Sequence, residues 1–127
     1  MGCDIHVFVE YKLYGGDRWS NFGGEFRLPR NYTLFGYLAG IRGYADPKIP
    51  PRGMPKDPSW WVGDFWNEQG EHTPTCMTYD ELRNVLDDYV VCEGHGLSYE
   101  WDALLQMARV LQNGSRKPVR IVFWFDS

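Results

Sequence analysis

The stretch Met1-Gly2-Cys3-Asp4-Ile5-His6-Val7-Phe8-Val9-Glu10-Tyr11 reads as a β-strand that carries chemistry on one of its two faces. Alternation along a strand puts Cys3, Ile5, Val7, Val9 and Tyr11 on one side and Asp4, His6, Phe8 and Glu10 on the other. Asp4 and His6 are then same-face neighbours about 7 Å apart, at the usual rise per residue. A carboxylate and an imidazole so spaced can share a metal, orient one another, or grip a polar ligand at the end of a sheet. The plainer alternative is a pair that only stabilises the fold. At the far end of the chain, Val119-Arg120-Ile121-Val122-Phe123-Trp124-Phe125-Asp126 is apolar on both faces, as a central strand is, and its natural neighbour is the first strand.

Between these strands the pattern is mixed. Gly15-Gly16-Asp17 is a turn, Arg18 to Phe22 starts a return strand, and Gly23-Gly24 ends it. Asn31 caps a short helix whose stripe is Leu34, Phe35, Leu38 and Ile41, with Gly43 as its stop. From Asp46 to Pro58 five prolines forbid helix and central strand, and the irregular stretch is expected to continue through Trp60-Trp61 and Phe65-Trp66 to Gly70. A loop of about 25 residues exceeds ordinary connections, which suggests an ordered functional flap. An aromatic lid over the core is the alternative. Thr78-Tyr79-Asp80-Glu81 is a capping box that opens a helix with Leu82, Val85, Leu86, Tyr89 and Val90 inward. Ser98 caps a second long helix, with Trp101, Leu104, Leu105, Ala108 and Leu111 inward and Asn113-Gly114 as its left-handed stop. The expected architecture is α+β: one small domain spanning residues 1–127, with a sheet containing the N- and C-terminal strands. Two longer helices and one short helix cover that sheet, and a long Pro/Trp-rich loop completes it.

The formal charge of −4 over 127 residues argues against duplex nucleic acid, whose phosphates need a lysine and arginine excess. No apolar run approaches the ~20 residues of a membrane span. Three cysteines, Cys3, Cys76 and Cys92, form no disulfide framework, and no signal-peptide pattern opens the chain, so a reducing, cytoplasmic setting is expected.

Three chemistries fit the residue types. A metal is one: Cys3 and His6 with His72 and Cys76 offer zinc ligands, although strand alternation turns Cys3 and His6 to opposite faces. An open divalent site of Asp4, His6 and His72, with Asp57 or Asp126, suits catalysis better. No nucleophile elbow or glycine-rich phosphate loop is present. Metal-free acid–base cleavage of a phosphodiester by His6 and His72, with arginine stabilising the developing charge, is the second. The third is binding alone, which requires no cofactor. Arg30, Arg42 and Arg52 can take phosphate, and Tyr32, Trp60 or Trp61 can stack on a base. Asp4 and His6 can fix ribose or base edges. The expected ligand site is therefore Asp4, His6, Arg30, Tyr32, Arg52, Asp57, Trp60, Trp61 and His72. Trp60, Trp61, Phe65 and Trp66 together also predict a homodimer, or a partner-binding surface if no nucleotide binds.

The opening Met1 to His6, the run Arg30 to Phe35, the loop Arg52 to Asp57, the segment His72 to Thr75 and the tail Arg120 to Asp126 resemble a family of small proteins from phages, prophages and some bacteria. Members often carry a second histidine where this chain has Pro74, and an aromatic where it has Cys76. Both departures weaken a zinc site, and the first weakens a two-histidine catalytic segment. The resemblance implies no settled activity. By analogy it suggests phage counter-defence in an infected or lysogenic bacterial cell, by sequestering or cleaving a nucleotide immune signal such as a cyclic oligonucleotide or a cyclic ADP-ribose derivative.

Overall fold

The two strands from opposite ends of the chain form the middle of the sheet. In the computed structural model, which describes residues 2–127, Met1 of the opening motif lies outside the described residues. Strand β1 (Ile5–Lys12) runs antiparallel to β4 (Arg120–Phe125), with Ile5 opposite Phe125, His6 opposite Trp124 and Glu10 opposite Arg120. Strand β2 (Trp19–Phe26) pairs with the outer side of β1, and β3 (His72–Thr78) with the outer side of β4. The order is β2-β1-β4-β3, antiparallel throughout.

Each face of the sheet is covered by helix. Ile5, Val7, Val9, Ile121, Phe123 and Phe125 pack beneath α1 (Tyr32–Ala39), α3 (Tyr79–Glu93) and α4 (Tyr99–Ser115), which contribute residues such as Phe35, Leu86 and Trp101. Phe8, Val122 and Trp124 pack on the opposite face against Val62, Phe65 and Trp66 of α2 (Trp60–Gln69). Removing side chains of this size from water stabilises the fold by about 1.5–3 kcal/mol each. The α+β architecture is as expected, and β4, buried on both faces, explains why its sequence lacks alternation.

Several local expectations change. The Pro/Trp-rich irregular stretch ends at Ser59 instead of Gly70, because Val62, Phe65 and Trp66 recur at helical spacing and form the fourth helix, α2. Gly23-Gly24 does not end β2. Gly23 takes a left-handed φ of 75°, and the register against β1 shifts between Val7 and Val9, so the pair forms a bulge and the strand continues to Phe26. Helix α1 stops at Ala39 on a left-handed Gly40, ahead of Gly43, and α4 runs past Gly114 to a left-handed Arg116. Ser98 stands at the start of α4 but its hydroxyl makes no capping bond. The Asn31 cap and the Thr78–Glu81 capping box are both formed. Among the described residues no helix is long and apolar enough to cross a membrane.

Candidate functional site

The two chain ends meet at the start of β1. The Asp4 amide donates to Asp126 Oδ1 at 2.9 Å, and the Asp126 amide donates back to the Asp4 carbonyl at 3.1 Å. The Cys3 amide donates to the Tyr32 hydroxyl at 3.2 Å, and the Ser127 hydroxyl donates to the Gly2 carbonyl at 2.6 Å. A Cβ at Gly2 would fall on the Arg30 guanidinium, so glycine there lets Arg30 lie close against the backbone.

Around this junction stand five of the expected site residues, Tyr32 among them. His6 is held from both sides, its Nδ1 at 2.9 Å from Glu25 Oε2 and its Nε2 at 2.9 Å from Asp126 Oδ2. Carboxylates only accept, so both contacts are hydrogen bonds when the ring is an imidazolium with a proton on each nitrogen. Burial is the largest single influence on its pKa and lowers it. Asp126 and Glu25 together outweigh burial and raise the value above that of an ordinary histidine. His72 Nε2 donates to the Asp126 carbonyl at 3.3 Å, which leaves Nδ1 to accept from the Thr73 hydroxyl at 2.9 Å. Thr73 is a β-branched residue at φ 55°, and the register of β3 against β4 shifts between His72 and Thr75. Left-handed threonine is strained backbone, of the kind that clusters at functional segments. Asp4 accepts from Arg30 Nε at 2.6 Å and from Nη2 at 3.2 Å. These hydrogen bonds, more than the charge attraction that accompanies them, hold the Asp4 pKa low and push that of Arg30 up.

The nine expected residues do not form one pocket. Asp4, His6, Arg30, Tyr32 and His72 surround the junction, but Asp4 and His6 engage Arg30 and the Glu25–Asp126 pair instead of each other. Arg52 turns toward the opposite end of β3, where its guanidinium grips Glu81 at 2.6 and 2.8 Å and the Cys76 carbonyl at 3.2 Å. Asp57 binds Arg120 at 2.9 Å at the other end of β4. Trp60 projects into solvent with 78% of its surface exposed, while Trp61 stacks on Phe65 over Phe8. Of the four aromatics expected at a dimer surface, Phe65 and Trp66 instead pack on Trp124, so much of the flap is a lid over the sheet. For zinc, Cys3 is buried in the core under α1, α3 and α4, whereas Cys76 packs on the face under α2. Among the described residues no group of three His, Cys, Asp or Glu side chains is placed to hold a metal ion.

Sequence reasoning missed Glu25, because taking Gly23-Gly24 as a strand end left it outside the sheet. The sign that would have found it is the double glycine within an otherwise strand-like run, the signature of a bulge. It also missed a cleft of ≈380 Å³ lined by Pro29, Arg30, Asn31 and Leu34 at the start of α1, Tyr89 of α3, the connection from His95 to Ser98, and Trp101 of α4. Its walls come from three separate segments that no local pattern connects.

The chain matches no protein-family model, no curated protein and no solved structure.

Proposed function

We propose that the protein binds and sequesters a small phosphorylated nucleotide, with Arg30 as its charged contact. What carries the reading is the double engagement of Arg30: Asp4 orients its guanidinium through two hydrogen bonds, and the same side chain lines the ≈380 Å³ cleft. That volume lies in the range of small-molecule sites. An arginine pre-oriented by a carboxylate loses little freedom on meeting a phosphate.

Sequestration fits better than cleavage because neither histidine offers a free basic nitrogen. Both nitrogens of His6 donate to carboxylates, and both nitrogens of His72 are engaged. The binding reading requires no metal. Its biological setting, by the resemblance of the opening and tail motifs, is capture of a cyclic oligonucleotide or cyclic ADP-ribose type of immune signal in the cytoplasm of an infected or lysogenic cell. Trp60 is the residue through which a homodimer would form.

The test is to incubate the protein with such signals, heat it, and assay what is released. Sequestration returns the signal intact. Recovery of a hydrolysed product would move the assignment to a phosphodiesterase, and absence of binding in calorimetry would remove both, leaving a partner-binding module that presents Trp60.

A further inference from the structure

We infer that the phosphate of the ligand is seated in the cleft between Arg30 and the amino-terminal turn of α4, with Ser98 and the indole N–H of Trp101 as its uncharged donors. The inference rests on the reading of the protein as a nucleotide binder and adds a placement for the anionic group.

Two residues that line this cleft each carry an unpartnered polar atom just beneath its surface. Trp101 is 2% exposed, and its indole N–H has no acceptor; the Ser98 hydroxyl, three residues earlier, is buried without a partner as well. Both residues line the cleft. A buried donor left without an acceptor is unfavourable, so two of them beside one cleft are a standing demand for an acceptor.

The electrostatics agree with an anion. Helix α4 is 17 residues long, and its amino-terminal turn has no side-chain cap. The first-turn amides of a helix have no intrahelical acceptor and carry the positive end of the helix dipole. Arg30, Asn31 and His95 line the cleft together with Ser98 and Trp101, and among the described residues no carboxylate lines the cavity. In a chain of net charge −4, an acid-free cleft is a selective place. The two acids in the first turn of α4, Glu100 and Asp102, line other grooves, Glu100 with Phe26 and Leu28 and Asp102 with Tyr79 and Arg83. The Asn31 amide donates to the Tyr89 hydroxyl at 2.8 Å, which fixes the mouth of the cleft. The Asp4, His6 and Asp126 cluster, with its carboxylates, then lies beyond Arg30 and is the less favourable place for phosphate.

The test uses the full chain and its indole N–H signals in ¹H–¹⁵N correlation spectra, titrated with inorganic phosphate at ionic strength held constant with chloride. Trp101→Phe assigns the Trp101 signal and keeps an aromatic ring in the core. The expected result is a saturable shift of the Trp101 indole with phosphate and none with chloride. Phosphate affinity should fall between about two- and tenfold in Ser98→Ala and in Trp101→Phe, and by about ten- to a hundredfold in Arg30→Ala. A Trp101 signal that stays still, or that moves equally with chloride, overturns the placement. Should Trp101→Phe fail to fold, Ser98→Ala and Arg30→Ala decide it, and undiminished phosphate affinity in both overturns it. The two readings fail separately. Nucleotides that bind while Trp101 stays still leave sequestration standing without this seat. A phosphate-responsive Trp101 in a protein that takes no nucleotide leaves the seat and removes the nucleotide.

Discussion

At opposite ends of one sheet face, two cations each lie between two carboxylates, and the two ends differ in what the cation is. At the chain-end junction it is His6, between Glu25 and Asp126, with side chains 23–27% exposed. At the other end it is Arg120, 12% exposed, whose Nε lies 2.5 Å from the fully buried Glu10 while Nη1 and Nη2 hold Asp57. The Ser59 amide donates to the second oxygen of Glu10, so this bridge also fastens the end of the proline-rich loop, where α2 begins, to β1. Arginine keeps its charge at every accessible pH and imidazole does not. One end of the sheet is thus permanently stapled, and the other is held by a group that titrates.

The largest effect is expected at the arginine end. Arg120→Met strands the Glu10 carboxylate in the interior, and denaturant unfolding should show a loss of about 3–5 kcal/mol. The double variant with Glu10→Leu should recover most of that loss, since a well-packed apolar pair replaces the ions. A double variant as unstable as the single one would mean that packing around the guanidinium, not charge, holds this end.

A smaller loss is expected at the histidine end. His6→Ala should cost on the order of 1–3 kcal/mol at mildly acidic pH, by leaving Glu25 and Asp126 without their shared donor. Its pH dependence carries the signature of the bridge. The folded-state pKa of His6 is raised, so the folded protein binds the proton more tightly than the unfolded chain. The stabilisation is therefore complete below about 6.5 and declines as the pH rises through the folded value. Unfolding curves of the wild type should show that decline, and His6→Gln should not.

The smallest effect belongs to the Arg52–Glu81 pair. Its hydrogen bond to Arg52, joined by the capping contacts with Thr78, brings the Glu81 pKa down to about 2. A depressed carboxylate stabilises above its unfolded value and loses that contribution as the pH falls from about 4.5 through about 2. Arg52→Ala should flatten this part of the acid limb and lower neutral stability by the same amount, a small one because partly exposed pairs contribute little.

The same contrast explains what was legible in the sequence. Period-two alternation in β1 and unbroken hydrophobicity in β4 were readable because burial on one or both faces writes itself directly into residue order. The Thr78–Glu81 box and the Asn31 cap were readable because capping is local. Helix α2 was hidden by its aromatics and Gly63, poor helix formers whose place is set by the sheet they cover. At the site, Asp4, His6, Arg30, Tyr32 and His72 were visible as residue types near the chain ends or near a cap. Their partners were not: Glu25 reaches His6 through a bulge, and Trp101 and Ser98 share a cleft with Arg30 only in the tertiary structure. Arg52 and Asp57 looked like ligand contacts because a loop arginine and aspartate carry no sequence mark of the ion pairs they make with Glu81 and Arg120.

Two measurements on Arg30→Ala separate the ligand contact proposed for Arg30 from the structural part that His6 plays. The Asp4–Arg30 pair is about half exposed on both sides, so its removal should leave the melting temperature essentially unchanged. Calorimetric affinity for the nucleotide, measured on the same sample, should fall by about ten- to a hundredfold. A variant that melts far below the wild type yet binds with undiminished affinity would contradict the account.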